Sequence, residues 1–333
     1  MSEHGLRVAV AGATGALGQE VLAALDQGPL AIAELLPLAS MAATTTEIRW
    51  RGKELTVGLV DADTLEGADL VFACLPRGAE DELLKEVAEA GCLVVDLAGI
   101  FLTDRGTPVL GLGLNPVEHE AVRERGAFIA PDGLALTLAA LAAPLREHGL
   151  VGMRGTALLS ASRAGRSGIE ELSGQVAALF NSQDPPRKVF HEGLAFDLVP
   201  GWGEGLGEWS RDELISAAMA GRIAGVNPAV IGLSTVLTPT FLGLGLSLHL
   251  LTERPLGLEQ LQQIVEASPH MELGAGRALQ PRSRGGNPVV SVGRLREDRA
   301  GLGLHLWATV DPMRLAAASA VATTAQLLQD GLL

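Results

Sequence analysis

The chain contains no tyrosine, and only 3% of its 333 residues are aromatic. That removes the commonest proton donor of carbonyl reductases, a phenol beside the nicotinamide. Only two cysteines occur, Cys74 and Cys92, each inside an apolar, strand-like segment. Neither a disulfide framework nor a thiolate zinc site is indicated, and buried structural thiols are the simplest reading. The seven histidines, His4, His119, His148, His191, His249, His270 and His305, include no pair at metal-ligand spacing, so no metal is expected. Basic residues are scarce: 25 Lys and Arg against 39 Asp and Glu leave a formal net charge of −14. A nucleic-acid surface needs the opposite balance. No apolar run reaches membrane-spanning length without polar interruption, and Met1 to Leu6 has no signal-peptide pattern, so no membrane contact and a cytoplasmic location are expected.

What is abundant is aliphatic and glycine residues: 47% hydrophobic, with 41 glycines. A chain of this length suggests two domains. The first stretch, RVAVAGATGALGQEVLAALDQ (Arg7 to Gln27), reads as a buried strand, a turn and a helix running from Gly18 to Gly28. Gly12, Gly15 and Gly18 punctuate the turn with GxxGxxG spacing. Glycines there let the backbone approach a pyrophosphate while helix N–H groups and the helix dipole face it. A βα turn that merely packs closely also needs glycine, but its place at the head of the chain favours a dinucleotide held by Gly12, Thr14, Gly15, Ala16, Leu17 and Gly18. The second strand ends near Ser40 without the carboxylate that holds an NAD ribose; Ala39, Ser40, Met41 and Thr44 to Thr46 suit a 2′-phosphate better, so NADP is expected with Ser40 beside it.

Further along, DLVFACLP (Asp69 to Pro76) and CLVVDLAG (Cys92 to Gly99) read as strands around a helix, Gly78 to Gly91. Aliphatic strands alternating with helices mean a parallel sheet covered on both faces. Asp96, at a strand end, suits either a ligand crevice or a turn. From Gly133 the texture changes. ALTLAALAAPLREHG reads as a helix, Val230 to Glu253 as two strands hinged at Gly243 and Gly245, and a strand pair turns around Arg299 to Gly301 before a closing alanine-rich helix. Strand-rich antiparallel character after a βαβ half implies a second, α+β domain. The loop of Arg277, Arg282 and Arg284 is either a solvated connection or an anion-binding rim.

GATGALG near the N-terminus, FIAPDG (Phe128 to Gly133), SASRAGRSGIEEL (Ser160 to Leu172), TPTFLG (Thr238 to Gly243), VGRLRED (Val292 to Asp298) and LWATVDPMR (Leu306 to Arg314) follow in one order. Over nearly its whole length the chain thereby resembles the aspartate-semialdehyde dehydrogenase family. The resemblance implies a Rossmann-type dinucleotide-binding domain (1–132 plus 313–333) and an α+β dimerisation domain with a mixed sheet (133–312). It also implies a homodimer, Ser162 and Gly165 in a nicotinamide-side loop, and NADPH-dependent reduction of aspartyl phosphate to the semialdehyde in amino-acid biosynthesis. That chemistry requires a cysteine nucleophile, a histidine base and cations for phosphate and carboxylate.

The positions that carry it in the family differ here. NPNCS of the family is matched by APDGL, putting Gly133 at the nucleophile position, and Leu244 follows Gly243 where the family has its histidine. Leu237, Leu102 and Leu315 stand at family cation positions, Leu159 falls near the family's glutamine, and Arg163 follows Ser162 in place of glycine. Glycine carries no nucleophile and leucine no proton, so no catalytic residue is assigned. Cys74 has no His or Lys beside it to lower its pKa, and Asp132 before Gly133 suits a turn. The reading is an inactive, Usg-type paralogue that keeps fold, dimer and NADP turn, its small-molecule ligand unnamed. The alternatives are an NADP oxidoreductase acting on another carbonyl without a thioacyl intermediate, and a regulatory dimer that binds no nucleotide.

Overall fold

The computed structural model describes residues 5–40, 46–76 and 78–332; His4, Met41, Thr44 and Thr45 lie outside them. Two compact units emerge, Met1–Pro131 with Ala316–Leu333, and Asp132–Leu315.

The first unit runs β1 (Leu6–Ala11), α1 (Ala16–Gln27), β2 (Ile32–Ala39), a hairpin of β3 (Glu47–Trp50) and β4 (Lys53–Thr56), then β5 (Gly58–Leu59), α2 (Ala62–Leu65), β6 (Leu70–Ala73), α3 (Asp81–Glu89), β7 (Leu93–Asp96), α4 (His119–Arg125) and β8 (Ala127–Ile129). Six strands form one parallel sheet in the order β5-β2-β1-β6-β7-β8. Val8, Ala9, Val10 and Ala11 are all fully buried, as a strand covered on both faces must be. β1 lies between β2 and β6, so connections leave it in opposite directions along the sheet, and its carboxyl end is where such sheets open a ligand crevice. The helix read from Gly18 begins two residues earlier, because Gly15 takes the N-cap position.

The second unit contains α5 (Gly133–Ala142), β9 (Leu150–Leu159), α6 (Gly165–Phe180), the short strands β10 (Val199–Pro200), β11 (Gly205–Leu206) and β12 (Trp209–Ser210), α7 (Arg211–Ala224), β13 (Ile231–Leu237), β14 (Leu244–Thr252), α8 (Leu258–Ala267), β15 (Met271–Leu273), β16 (Val290–Glu297) and β17 (Leu304–Val310). Then α9 (Pro312–Gln329) begins, and from Ala316 it is part of the first unit. The sheet order is β10-β13-β9-β14-β17-β16-β15, mixed in sense, with β9/β13 and β15/β16 parallel and the other pairs antiparallel. Two sequence expectations shift here. The helix read through His148 stops at Ala142, since Pro144 cannot supply the N–H that a further turn needs. The hinge read at both Gly243 and Gly245 is the segment 238–243 alone; Gly245 pairs with Leu158 and Thr309 inside β14.

Strand alternation decides the faces of this sheet. Leu244, Leu246, Leu248 and Leu250 are buried, while Ser247 and His249 point to the other side. On that side Arg154, His249, His305 and Arg296 occupy registered positions on β9, β14, β17 and β16. The two imidazoles lie with ring centres 4.5 Å apart, and His249 Nε2 is 3.0 Å from Asp298 Oδ2. Desolvation, then the charges of His249 and Arg296, push His305 below its ordinary pKa, with Asp298 opposing. Unfolded His305 therefore takes up its proton at a higher pH than the folded side chain does, and this contribution to stability is lost as pH falls below about 6.5. Urea unfolding between about pH 7.5 and 5.5 should show His305→Asn less acid-sensitive than the parent chain; an identical pH slope would remove His305 as the cause.

Candidate functional site

The glycine turn is built by close approach. Gly12 has φ +91°, and a Cβ placed there would lie 2.6 Å from the Cys74 carbonyl oxygen. A Cβ on Gly18 would lie 2.1 Å from the Gly12 carbonyl oxygen. Any side chain at either position would force β1, the turn and α1 apart. The turn is pinned to β2 by the Gly12 and Ala13 N–H groups, which donate to the Leu38 carbonyl at 2.8 and 2.9 Å, and the Gly15 N–H donates back to Gly12 at 3.0 Å. At the head of α1 the N-cap residue is Gly15, with no side-chain cap and no acidic residue in the first turn. Amide N–H groups at Ala16, Leu17 and Gly18 thus face outward without a carboxylate competing for them, which is the donor set a pyrophosphate needs.

The structure brings Gly12, Thr14, Gly15, Ala16, Leu17 and Gly18 into this one turn, with Ser40 exposed at the end of the adjoining strand β2. Ser162 and Gly165 belong to the second unit. Ser162 is buried and its hydroxyl is hydrogen-bonded to Ser160 at 2.9 Å; Gly165 has φ +70° and open space where a Cβ would point. Asp96 takes the turn role: its carboxylate accepts the N–H groups of Ala98, Gly99 and Phe101 at 3.0, 2.7 and 2.9 Å. Burial raises its pKa, and these backbone hydrogen bonds oppose the rise. Burial, followed by the Asp96 charge, pushes the Cys74 thiol far above the ordinary thiol range, the reverse of what a nucleophile requires. Among the described residues no group of three His, Cys, Asp or Glu side chains is arranged to hold a metal ion, and no helix is long and apolar enough to cross a membrane.

In the second unit, Gly133 is the first residue of α5 and Asp132 caps it, its carboxylate accepting the Ala135 N–H at 2.9 Å. A Cβ on Gly133 would stand 2.2 Å from the Pro312 carbonyl oxygen and 2.4 Å from its Cα. Leu237 and Leu244 are core side chains, 0% and 1% exposed. The free oxygen of Asp132 meets Arg163 at 2.9 Å, and the same guanidinium grips Asp212 through Nε at 2.7 Å and through Nη2. Asp212 sits in the first turn of α7, where the helix dipole favours its charge. Desolvation works against the Arg163 charge, and the two carboxylates more than offset it, so the guanidinium stays ionised. Sequence reasoning placed Asp132 in a turn and gave Asp212 no role. An arginine at a glycine position within a loop was the available signal, because such a cation needs counter-charges nearby.

A parallel six-stranded domain with a glycine turn on its first helix, followed by a mixed seven-stranded domain, defines a two-domain protein of the dinucleotide-dependent dehydrogenase type. Residues 7–125 match the profile "Semialdehyde dehydrogenase, NAD binding domain" and residues 142–315 match "Semialdehyde dehydrogenase, dimerisation domain". The chain belongs to the semialdehyde dehydrogenase family. It is 28% identical to aspartate-semialdehyde dehydrogenase 2 of Vibrio cholerae over 96% of this chain and 97% of that one. It is 27% identical to the USG-1 protein homolog of Azotobacter vinelandii, over 96% and 97%. The crystal structure of aspartate semialdehyde dehydrogenase II of Vibrio cholerae complexed with ASA superposes with a TM-score of 0.91 at 27% identity, covering 99% of both chains.

The contact at Gly133 is testable by the smallest possible change. Gly133→Ala should cost at least about 2 kcal/mol in chemical unfolding, as overpacking against backbone does. A loss under about 0.5 kcal/mol would mean that the Pro312 backbone yields freely.

Proposed function

We propose that this chain is a catalytically silent, cytoplasmic member of the semialdehyde dehydrogenase family, a homodimer that retains NADP binding at its glycine turn. The observation that carries the reading is Gly133: the position matched to the family nucleophile has no side chain, and the Pro312 backbone occupies the space a cysteine Cβ would take. Leu244, matched to the family base, is a buried core residue whose carbonyl accepts the Thr309 hydroxyl at 2.7 Å. Arg163, between Asp132 and Asp212, supplies internally the cation that those two carboxylates hold. A substrate amine or phosphate would have to break that pairing, and the leucines at the matched cation positions offer no replacement.

The chain's own residues fit NADP. The N–H groups of Ala16, Leu17 and Gly18 would hold the pyrophosphate, Gly12 and Gly18 permit its close approach, and Ser40 would meet the 2′-phosphate, with Ser162 and Gly165 on the nicotinamide side. Bound NADP supplies a hydride acceptor or donor. The residues around it supply neither a nucleophile nor a proton: the thiol of Cys74 is held protonated by burial and Asp96.

Titration with NADP and NAD, followed by the fluorescence of the four tryptophans, should show saturable binding with NADP preferred. The NADP-dependent phosphorylating oxidation of aspartate semialdehyde should give no turnover above a blank without enzyme. Gly133→Cys with Leu244→His should remain inactive, because the Pro312 backbone keeps the cysteine from its place. Turnover well above the blank that survives Cys74→Ala would overturn the silent assignment. A panel of other aldehydes and ketones tests the alternative of a different carbonyl substrate.

A further inference from the structure

At the edge of the first unit where the strands begin, opposite the glycine turn, a cavity of about 840 Å³ opens among the start of β1, the segments leading into β2, β6 and β7, and helices α2, α3 and α9. Its volume lies in the range of small-molecule sites. Its room comes from small residues: Ala31, Ala62, Gly67, Ala90 and Gly91 stand where larger side chains would fill it. The wall is apolar, made by Leu6, Leu30, Leu65, Leu83, Val87 and Leu328. Cys92 adds an uncharged sulfur, because burial and the Asp69 charge push its thiol up to about 12.

The charged side chains that line this cavity carry one sign, with Gln329 a neutral neighbour. Asp63, Glu66, Asp69 and Glu86 line it, and among the described residues no Lys, Arg or His does. Asp69 accepts the Arg7 backbone N–H at 2.8 Å, but none of the four carboxylates is in an ion pair among the described residues. The neighbouring cation, Arg7, lies beside Glu66 and Gly67 at this rim, donating to the Glu66 carbonyl, and pairs its charge with Glu34 at 2.9 Å. An apolar bowl whose own charged lining is acidic is complementary to one kind of small molecule. We propose that this cavity binds a small amphipathic amine, its hydrocarbon body against the leucine wall and its ammonium group toward the acidic side chains that line it. An amphipathic acid meets repulsion at the same rim, and a neutral alcohol gains only burial. The site lies within one domain and uses no residue of the glycine turn, so it stands or falls independently of NADP binding and of catalytic silence.

Three probes of equal chain length separate the contributions on the full-length protein: octylammonium, octan-1-ol and octanoate, titrated below their aggregation limits and followed by calorimetry and by methyl NMR shifts. Octylammonium should bind at least about tenfold more tightly than octanol, and octanoate should not bind. Glu66→Gln with Glu86→Gln, both at exposed positions, should weaken octylammonium by about tenfold and leave octanol unchanged. Ala90→Trp, also at an exposed position, should block both by filling the bowl. Equal binding of octanoate, insensitivity of octylammonium to these variants, or no binding of octylammonium into the millimolar range overturns the proposal. So does binding of a Leu/Lys-rich helical peptide without binding of octylammonium, which would make the surface a protein-docking site.

Discussion

Backbone packed directly against backbone is the constraint on which both units depend. At the head of the first unit, β1 and α1 come together only because Gly12 and Gly18 lack Cβ atoms, and the Cys74 and Gly12 carbonyls take that space. At the head of the second, α5 starts under the Pro312 backbone only because Gly133 has none either. The contacts are alike in geometry and opposite in consequence. In the first unit the close approach leaves a helix N-terminus open with unshared donors. In the second it closes the corresponding position, and a carboxylate from Asp132 caps the helix. Steric exclusion by backbone is far harder to relieve than a side-chain clash, since a rotamer change cannot answer it.

The fold was readable because its signals are repetitive. Val8 to Ala11, Leu70 to Ala73 and Leu93 to Asp96 form uninterrupted buried runs, which in a chain alternating with helices admit one arrangement, a covered parallel sheet. The errors fall where one residue decides an end: Pro144 stopping α5, or Gly245 staying in register within β14 because its neighbours Leu158 and Thr309 pair with it. Glycine in a strand reads as a hinge from sequence alone, and a ladder on both sides overrides that preference.

The site was less readable, and the reason is distance along the chain. The glycine turn is a local motif whose residues are its own neighbours. The triplet Asp132, Arg163 and Asp212 spans eighty residues of sequence, and no spacing rule joins a helix cap, a loop arginine and a first-turn aspartate. Each has an adequate local explanation taken singly. Similarly, nothing local to Gly133 announces that Pro312 will lie against it, and only the structure shows that contact.

The Asp132, Arg163 and Asp212 triplet also bears on stability. Carboxylates left without a counter-charge in a part-buried site weaken a fold. Here Arg163 makes the pairing covalently tethered, present at an effective concentration no free ligand reaches, through a two-pronged grip on Asp212 and a third contact to Asp132. The two carboxylates are satisfied without a ligand because their counter-ion is part of the chain. A cation held this way also resists exchange: an incoming amine must displace three contacts to gain two carboxylates, and it starts from dilute solution. One loop guanidinium therefore joins the starts of α5 and α7 and keeps both carboxylates ordered.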